Sequence, residues 1–545
     1  MDTLPSEIIT RILEYLPFDD RRELARVNKL FYHASCHPVF LRKELLNYES
    51  YYDASRNSFN AFENMLLQSR RKLLCLKFFH TAYIEEFTIF TNLGNRIISL
   101  SLNNFDSLND LFLDAITQCC SNLEKLELIN VLNFHLTDND RKPILKLCSI
   151  TLDRVRLFDR EFNLIMKLAP NLKDLSILGC NLIGSSAIIK RFYPHNSNHI
   201  DCSFSKYNSN HIFSEDNIVH HLNNFVRLNS LKLNCGVSIF YRIQPIQLEI
   251  KSLSLNFDQT IYSDFIDYKK LNLVLNQYVF LEQLKIISLP ICMLSIISNL
   301  YNLRHLTLSY SAHESNYSVS GDYIKSFVES LKNLKYLRTL SFNRGFDLIN
   351  HLELPIYPFL ECTLKSLTSL DCSLDSNLEV LKFGTNLTNL RIRNGGILKV
   401  EDLQLLFRNF TYLKHLWIEN CSVLNDEIFI KLPISNLKEL ITLKIIPSNI
   451  SHRCLQHITN SRLKVLTLTN MSLEPCSTQA ELNEFKHSVE MLSRAVPKLT
   501  ELNIGPHSMS MKTIGESLDV TNYYKNSFKA SLTTYFKWLK VMKLW

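Results

Sequence analysis

Apolar side chains recur along most of this chain with a spacing that is neither helical nor simply alternating. The stretch Tyr412 to Asp426, YLKHLWIENCSVLND, carries it plainly: Leu413, Leu416 and Ile418 are followed by Cys421 and Leu424, or L-x-x-L-x-L-x-x-C-x-x-L. Strand side chains alternate between two faces, so Leu416 and Ile418 turn one way and His415 and Trp417 the other. The first leucine-type position returns at Leu73, Ile97, Leu123, Leu152, Leu172, Leu228, Ile250, Leu281, Leu303, Leu337, Leu364, Leu387, Leu413, Leu440, Leu463 and Leu499. A degenerate unit near Ile200 bridges the gap after Leu172. One such strand cannot bury its apolar face alone, so the units must stack. Helical patterns fall between the strands, as at Asp402 to Phe410 and Asn425 to Leu432.

This spacing resembles the leucine-rich repeat. The resemblance implies an α/β solenoid over residues 71–520, a right-handed horseshoe with a curved parallel inner sheet and outer helices. Asn or Cys recurs just after the strand, at Asn104, Asn130, Cys180, Cys235, Asn394, Cys421 and Asn470, where it can satisfy or fill the turning backbone. Insertions are expected at Ser309 to Tyr323, Asn343 to Cys362, Met471 to Val496 and Gly505 to Lys525.

The first fifty residues follow another pattern. Ile8, Ile9, Ile12, Leu13 and Leu16 recur at helical spacing after Pro5, which suits a first helical turn, and Pro17 ends the run. Asp19 or Asp20 can cap a second helix carrying Leu24 and Val27. A third pattern runs through Leu30, Phe31 and Ala34 to Phe40, Leu41 and Leu45, interrupted by Pro38. The run LPSEIITRILEYLPFDDRRELARVNKLFYHASCHPVFLR resembles an F-box, placed at residues 1–46 as a short three-helix unit. It departs from the family pattern at Asn28, where Cys is common, at Phe31, where Trp is common, and at Arg21–Arg22. The resemblance implies docking on the Skp adaptor and, through it, a cullin scaffold, with Leu4, Pro5, Ile8, Ile12, Leu16, Leu24, Val27, Phe31 and Phe40 as the adaptor-binding residues. Cysteine-containing repeats like those at Leu172 and Leu413 are common behind F-boxes. Residues 47–70 are expected to form a linker helix or loop.

Composition narrows the picture. At 545 residues the chain is too long for one compact core unless it is an array. Hydrophobic residues make up 46% and charged residues 21%, an ordinary folded composition. A net charge of +7 over this length gives no strong case for nucleic acid, and none is expected as a partner. No apolar run approaches the ~18 residues of a membrane helix, and no basic leader with an apolar core opens the chain. The 14 cysteines are scattered, which suits a reducing compartment; an intracellular protein, cytoplasmic or nuclear, is expected.

Catalytic chemistry is not expected. No phosphate-binding, metalloprotease or nucleophile-elbow motif is present, and no cofactor follows. His195, His199, Cys202, His211, His220 and His221 cluster in sequence, but Pro194 and the Asn/Ser-rich surroundings argue for a loop without metal. The concave face offers more. Residues flanking the second leucine-type position should project into the hollow: Arg154, Arg156, Lys285, His305, Arg391, Arg393, His415, Trp417 and Glu419. Arg391 and Trp417 occupy equivalent positions of adjacent repeats, and Trp beside Arg is the composition of interface hot spots. The competing expectation is that Trp417 is shielded. A basic aromatic stretch at 521–545, with Phe528, Leu532, Tyr535, Leu539 and Met542 at helical spacing, is expected to cap the solenoid, the alternatives being a tail that folds into the hollow or touches a membrane or an acidic partner. By the F-box resemblance, the chain reads as a substrate-recognition subunit of an SCF-type ubiquitin ligase with an unknown protein substrate. The alternatives are a repeat scaffold unconnected to ubiquitination and a polyanion- or ligand-binding horseshoe.

Overall fold

The computed structural model describes residues 5–16, 18–49, 56–69, 71–79, 88–137, 141–183, 215–225, 228–234, 249–256, 268–289, 297, 299–310, 330–331, 333–344, 366–372, 386–393, 398–421, 423–446, 450–468, 479–504 and 507–510. The expected tail at 521–545, Leu4, and His195, His199, Cys202 and His211 lie outside them, as do the unit near Ile200 and most of the insertions at 309–323, 343–362 and 505–525. The chain forms two compact units, Met1–Leu281 and Glu282–Trp545.

The first unit opens with four short helices, α1 (Ser6–Glu14), α2 (Phe18–Ala25), α3 (Lys29–Ser35) and α4 (Pro38–Leu41). Ile9 and Leu13 of α1 meet Phe31, Ala34 and Phe40 in a small core, with Leu16, Leu24 and Leu30 packed against it. Asn28 caps α3, its Oδ1 accepting from the Phe31 backbone N–H at 2.9 Å. Pro38 takes the first position of α4, where its missing N–H costs nothing. Arg21 has a similarly concrete task. It donates to the Leu16 carbonyl at 2.7 Å, stacks 4.8 Å from the Phe40 ring and pairs with buried Glu44 at 3.5 Å. Glu44 also accepts from Arg71 at 2.6 Å, which ties the helices to the repeats behind them.

The repeats begin earlier than Leu73. Strand β1 (Leu45–Glu49) pairs in parallel with β2 (Leu74–Phe79), and helix Arg56–Gln68 connects them. Of the stretch expected as a linker helix or loop, residues Arg56–Gln68 are helical, and Asn47 to Glu49 belong to β1. This strand escaped the leucine pattern because Tyr48, opposite Phe78, stands where a leucine-type residue would continue the buried row. Strands β3 (Ile97–Asn109), β4 (Lys125–His135), β5 (Ser149–Asp153), β6 (Arg156–Phe158), β7 (Asp174–Leu178), β8 (Asn181–Ile183), β9 (Ser230–Asn234) and β10 (Ser252–Asn256) follow. The parallel order is β1-β2-β3-β4-β5-β7-β9-β10, with β6 and β8 pairing in a second small sheet. The connecting helices bury one side, as Asp110–Cys119 does through Phe112, Leu113 and Ile116.

A bend separates the two sheets. Asn104, Asn130, Arg154 and Gly179 fall at equivalent positions of successive repeats, and all have left-handed backbones, with φ of 59°, 53°, 53° and 57°. Asn and Gly tolerate that region best. Asn130 Nδ2 donates to Asn104 Oδ1 at 2.7 Å, one rung of a side-chain ladder along the bend. Cys180 and Cys421, just past two such bends, are buried as expected.

The second unit repeats the plan: β11 (Gln283–Leu289), β12 (His305–Tyr310), β13 (Thr339–Arg344), β14 (Ser369–Cys372), β15 (Asn389–Ile392), β16 (His415–Glu419), β17 (Thr442–Ile446), β18 (Val465–Leu468) and β19 (Glu501–Ile504) pair consecutively in parallel. Strand β20 (His507–Ser510) closes the series antiparallel to β19. Leu390, Leu416, Leu443 and Leu466 stand in one register row and are buried, each stabilising the stack by roughly 1.5–3 kcal/mol. The insertion expected at Met471 to Val496 holds a helix, Gln479–Ala495, that buries Val489 and Leu492.

Candidate functional site

The N-terminal helices sort the sequence-selected positions by exposure. Pro5, Ile8 (47% exposed), Ile12 (45%) and Val27 (65%) face solvent, whereas Phe31 and Phe40 are core and Leu16 and Leu24 pack against that core. The aromatic pair therefore holds the bundle together rather than offering a contact surface, because a bundle this small needs its largest rings inside. Sequence reasoning passed over Tyr15, 87% exposed. Spacings of three, four and three place Pro5, Ile8, Ile12 and Tyr15 on one stripe of α1, beside the face that buries Ile9 and Leu13. The signal was available: a Tyr three residues after Ile12 continues the apolar stripe.

In the second unit, the face of the sheet opposite the leucines carries the other candidate site. Parallel pairing sets Arg391 of β15 and Lys444 of β17 on either side of Trp417 of β16. The Arg391 guanidinium carbon lies 3.5 Å from the indole centroid and Lys444 Nζ 5.5 Å away. Two cations thus flank one ring, a geometry its negative face attracts. Trp417 is half-buried, between the exposed ring and the shielded one that its sequence leaves open. Its indole nitrogen is fully buried, with no hydrogen-bond partner among the described residues.

Carboxylates fix the arginines. Arg391 Nε donates to Glu419 Oε1 at 3.0 Å, and its terminal nitrogen makes a second contact with the same oxygen. Arg393 grips Asp371 with two bonds of 2.7 Å. His415 pairs with Thr442 Oγ1 at 3.0 Å, and His305 makes the same 3.0 Å pairing with Thr339 one strand on. Burial, with help from Lys414, pushes the His415 imidazole below its ordinary range. Lys285, opposite Thr307, stays exposed.

In the first unit, Arg154 and Arg156 lie off the corresponding face of the sheet. The strand ends at Asp153, Arg154 occupies the left-handed bend, and Arg156 begins β6 in the second sheet. Alternation counted through a bend assigns the wrong face. His221 is also committed elsewhere: it bonds Asn163 at 2.8 Å and packs on Phe162 and Phe225, and burial lowers its pKa to about 4. Among the described residues, no cluster of His, Cys, Asp or Glu is suited to a metal ion, and no helix is long and apolar enough to cross a membrane. What the open face can do chemically is bind: it offers a flanked aromatic ring, oriented guanidinium groups and a row of hydroxyls.

Comparison with known proteins bears on the N-terminal region first. Residues 1–47 match the F-box-like family model. No curated protein matches significantly. Among solved structures, the chain is similar to an internalin from Listeria monocytogenes, at 18% identity and TM-score 0.35, covering 68% of this chain and 87% of that one. It is similar to the Rad7 and Elc1 complex of yeast, at 15% identity and TM-score 0.40, covering 84% and 91%. It is also similar to a TLR13–ssRNA13 complex, at 15% identity and TM-score 0.25, covering 80% of this chain and 63% of that one. At such scores these likenesses support no inference about partners. The family match and the strand-by-strand register together identify a chain that joins an F-box-like N-terminal region to leucine-rich repeats.

Proposed function

We propose that this chain is a non-catalytic substrate-recognition subunit of an SCF-type ubiquitin ligase, working inside the cell. The observation that carries the reading is the exposed apolar stripe of Pro5, Ile8, Ile12 and Tyr15 on a region that matches the F-box-like family. Four apolar side chains in water on a unit this small favour a partner. That partner is the Skp adaptor, with a cullin scaffold behind it. The open face around Trp417, Arg391 and Glu419 takes the protein substrate. The chain contributes to rate by proximity, raising the effective concentration of substrate lysines beside a charged conjugating enzyme.

The arginine pairings disfavour the polyanion alternative, since Arg391 and Arg393 already have carboxylate partners. The test is co-purification of the full chain beside an Ile8→Asp/Ile12→Asp variant. Adaptor and cullin should accompany the first and not the second, while bound partners accumulate on the variant. Adaptor retained by the folded variant would overturn docking through α1. Adaptor lost with partner abundance unchanged would leave a scaffold uncoupled from ubiquitination.

A further inference from the structure

One row on the face of the second unit's sheet opposite the leucines is incompletely satisfied. The pairing registers align Asp371, Arg391, Trp417, Lys444, Thr467 and Asn503 across β14 to β19. Of the cations on this face of β14 to β18, Arg391 and Arg393 have carboxylate partners. Half-buried Lys444 has none among the described residues. Its ammonium lies 5.5 Å from the Trp417 ring centroid, near the outer limit of a useful cation–π contact, while Arg391 takes the closer position at 3.5 Å.

Trp417 has the same deficit. Its Nε1–H is buried without an acceptor, and a donor left that way costs the fold free energy. Two acceptors stand nearby, and both are engaged. Thr467, next along the row past Lys444, accepts from Asn503 Nδ2 at 3.2 Å. Glu419, two residues beyond Trp417 on its own strand, is held by Arg391. The two unsatisfied donors are close together. Nitrogen and centroid belong to one indole, so Trp417 Nε1 and Lys444 Nζ are separated by at most about 8 Å, a gap that one carboxylate spans by accepting at about 2.9 Å through each oxygen.

We propose that Trp417 Nε1 and Lys444 Nζ together hold a carboxylate of the protein substrate, from an aspartate or glutamate side chain. This rests on the assignment of the Trp417 face to substrate binding and names what that face selects. Two separate donors carrying a single positive charge suit a planar monoanion with two oxygens. The flexible Lys444 stem can swing off the ring and admit an oxygen to the indole nitrogen. Arg391 stays with Glu419, so no existing ion pair has to break. Further strands continue on both sides of the pair, so a bound chain crosses it rather than ending at it.

Fluorescence anisotropy on the full chain tests this with three peptide pools of randomised flanks: central Glu with both ends capped, central Gln with both ends capped, and central Gln with a free C-terminus. The Glu pool should bind about ten-fold more tightly than the capped Gln pool. Lys444→Met, which keeps the stem, should remove that preference. Trp417→Phe, which keeps a ring without the N–H, should reduce it about three-fold, both with unchanged thermal midpoints. If Lys444→Met lowers the midpoint, Lys444→Gln is measured in its place, with the same expectation. Lys285→Met, which removes another cation from this face, should leave the preference intact. No binding by any pool, equal binding of the Glu and capped Gln pools, a preference unchanged in Lys444→Met or in Trp417→Phe, an equal loss in Lys285→Met, or tightest binding by the free-terminus pool overturns the proposal. Partner capture separates this from the assignment beneath it. Capture lost in Arg391→Ala/Trp417→Leu without any Glu preference keeps the face as substrate site and removes the carboxylate; capture untouched by that pair removes the face itself.

Discussion

Arg391 and Trp417 face each other across one parallel strand pair, guanidinium carbon to indole centroid at 3.5 Å, while Glu419 accepts from Arg391 Nε along the guanidinium edge. Three residues on two strands thus orient one another before any partner arrives. Preorganisation of this kind lowers the entropy cost of binding. A double-mutant cycle on Arg391→Ala and Trp417→Leu should return a coupling of about 1 kcal/mol in unfolding free energy, within the range for a partly desolvated cation–π pair. In the same variants, partner capture should fall while adaptor binding persists. Unchanged capture of every partner would remove this face from the substrate site.

The N-terminal helices make a sharper distinction. Phe31→Ala removes a buried ring from a small core and should cost about 3–5 kcal/mol, visible as loss of helical signal on mild heating. Tyr15→Ala removes an exposed one and should leave stability within about 0.5 kcal/mol while weakening adaptor co-purification. A Tyr15→Ala protein that keeps full adaptor affinity would take Tyr15 off the docking stripe.

Arg154 is the long side chain in a row otherwise filled by Asn104, Asn130 and Gly179. Arg154→Asn relieves part of the left-handed strain and extends the Asn130–Asn104 ladder by one rung. Thermal unfolding should move upward, by an amount corresponding to roughly 0.5–1 kcal/mol. A lower midpoint would mean that the exposed contact of Arg154 with Asp153, 3.4 Å apart, matters more than the backbone.

His221 gives the first unit a pH response. Its imidazole titrates near 6.5 in an unfolded chain but at about 4 when packed against Phe162 and Phe225. The folded pKa is depressed, so the unfolded state takes up the proton first. Stability from this site is complete above pH 6.5 and declines as pH falls towards 4. Denaturant midpoints measured across that window should fall for the parent chain and fall less for His221→Gln.

Much of this was legible in the leucine spacing, because a buried row tolerates few residue types and announces itself. Leu413, Leu416 and Ile418 fixed the strand, and adjacent-repeat counting alone placed Arg391 beside Trp417. The counting failed where the backbone departs from alternation, which is why Arg154 and Arg156 were assigned to a face they do not occupy. It also failed for Phe31: helical spacing reveals that a side is apolar, not whether that side meets its own chain or another. The charge pairing of Arg393 with Asp371 needs contact between residues 22 apart, and no local pattern encodes it.

Strand β1 begins at Leu45, four residues beyond the end of α4, and its first three residues, Leu45 to Asn47, fall within the match to the F-box-like family. The adaptor-docking region and the first rung of the sheet therefore overlap in sequence. Truncation after residue 46 would strip β2 of its paired neighbour and leave a raw row of backbone donors and acceptors, an invitation to aggregation. Point substitutions on α1 uncouple docking from sheet integrity; a deletion cannot.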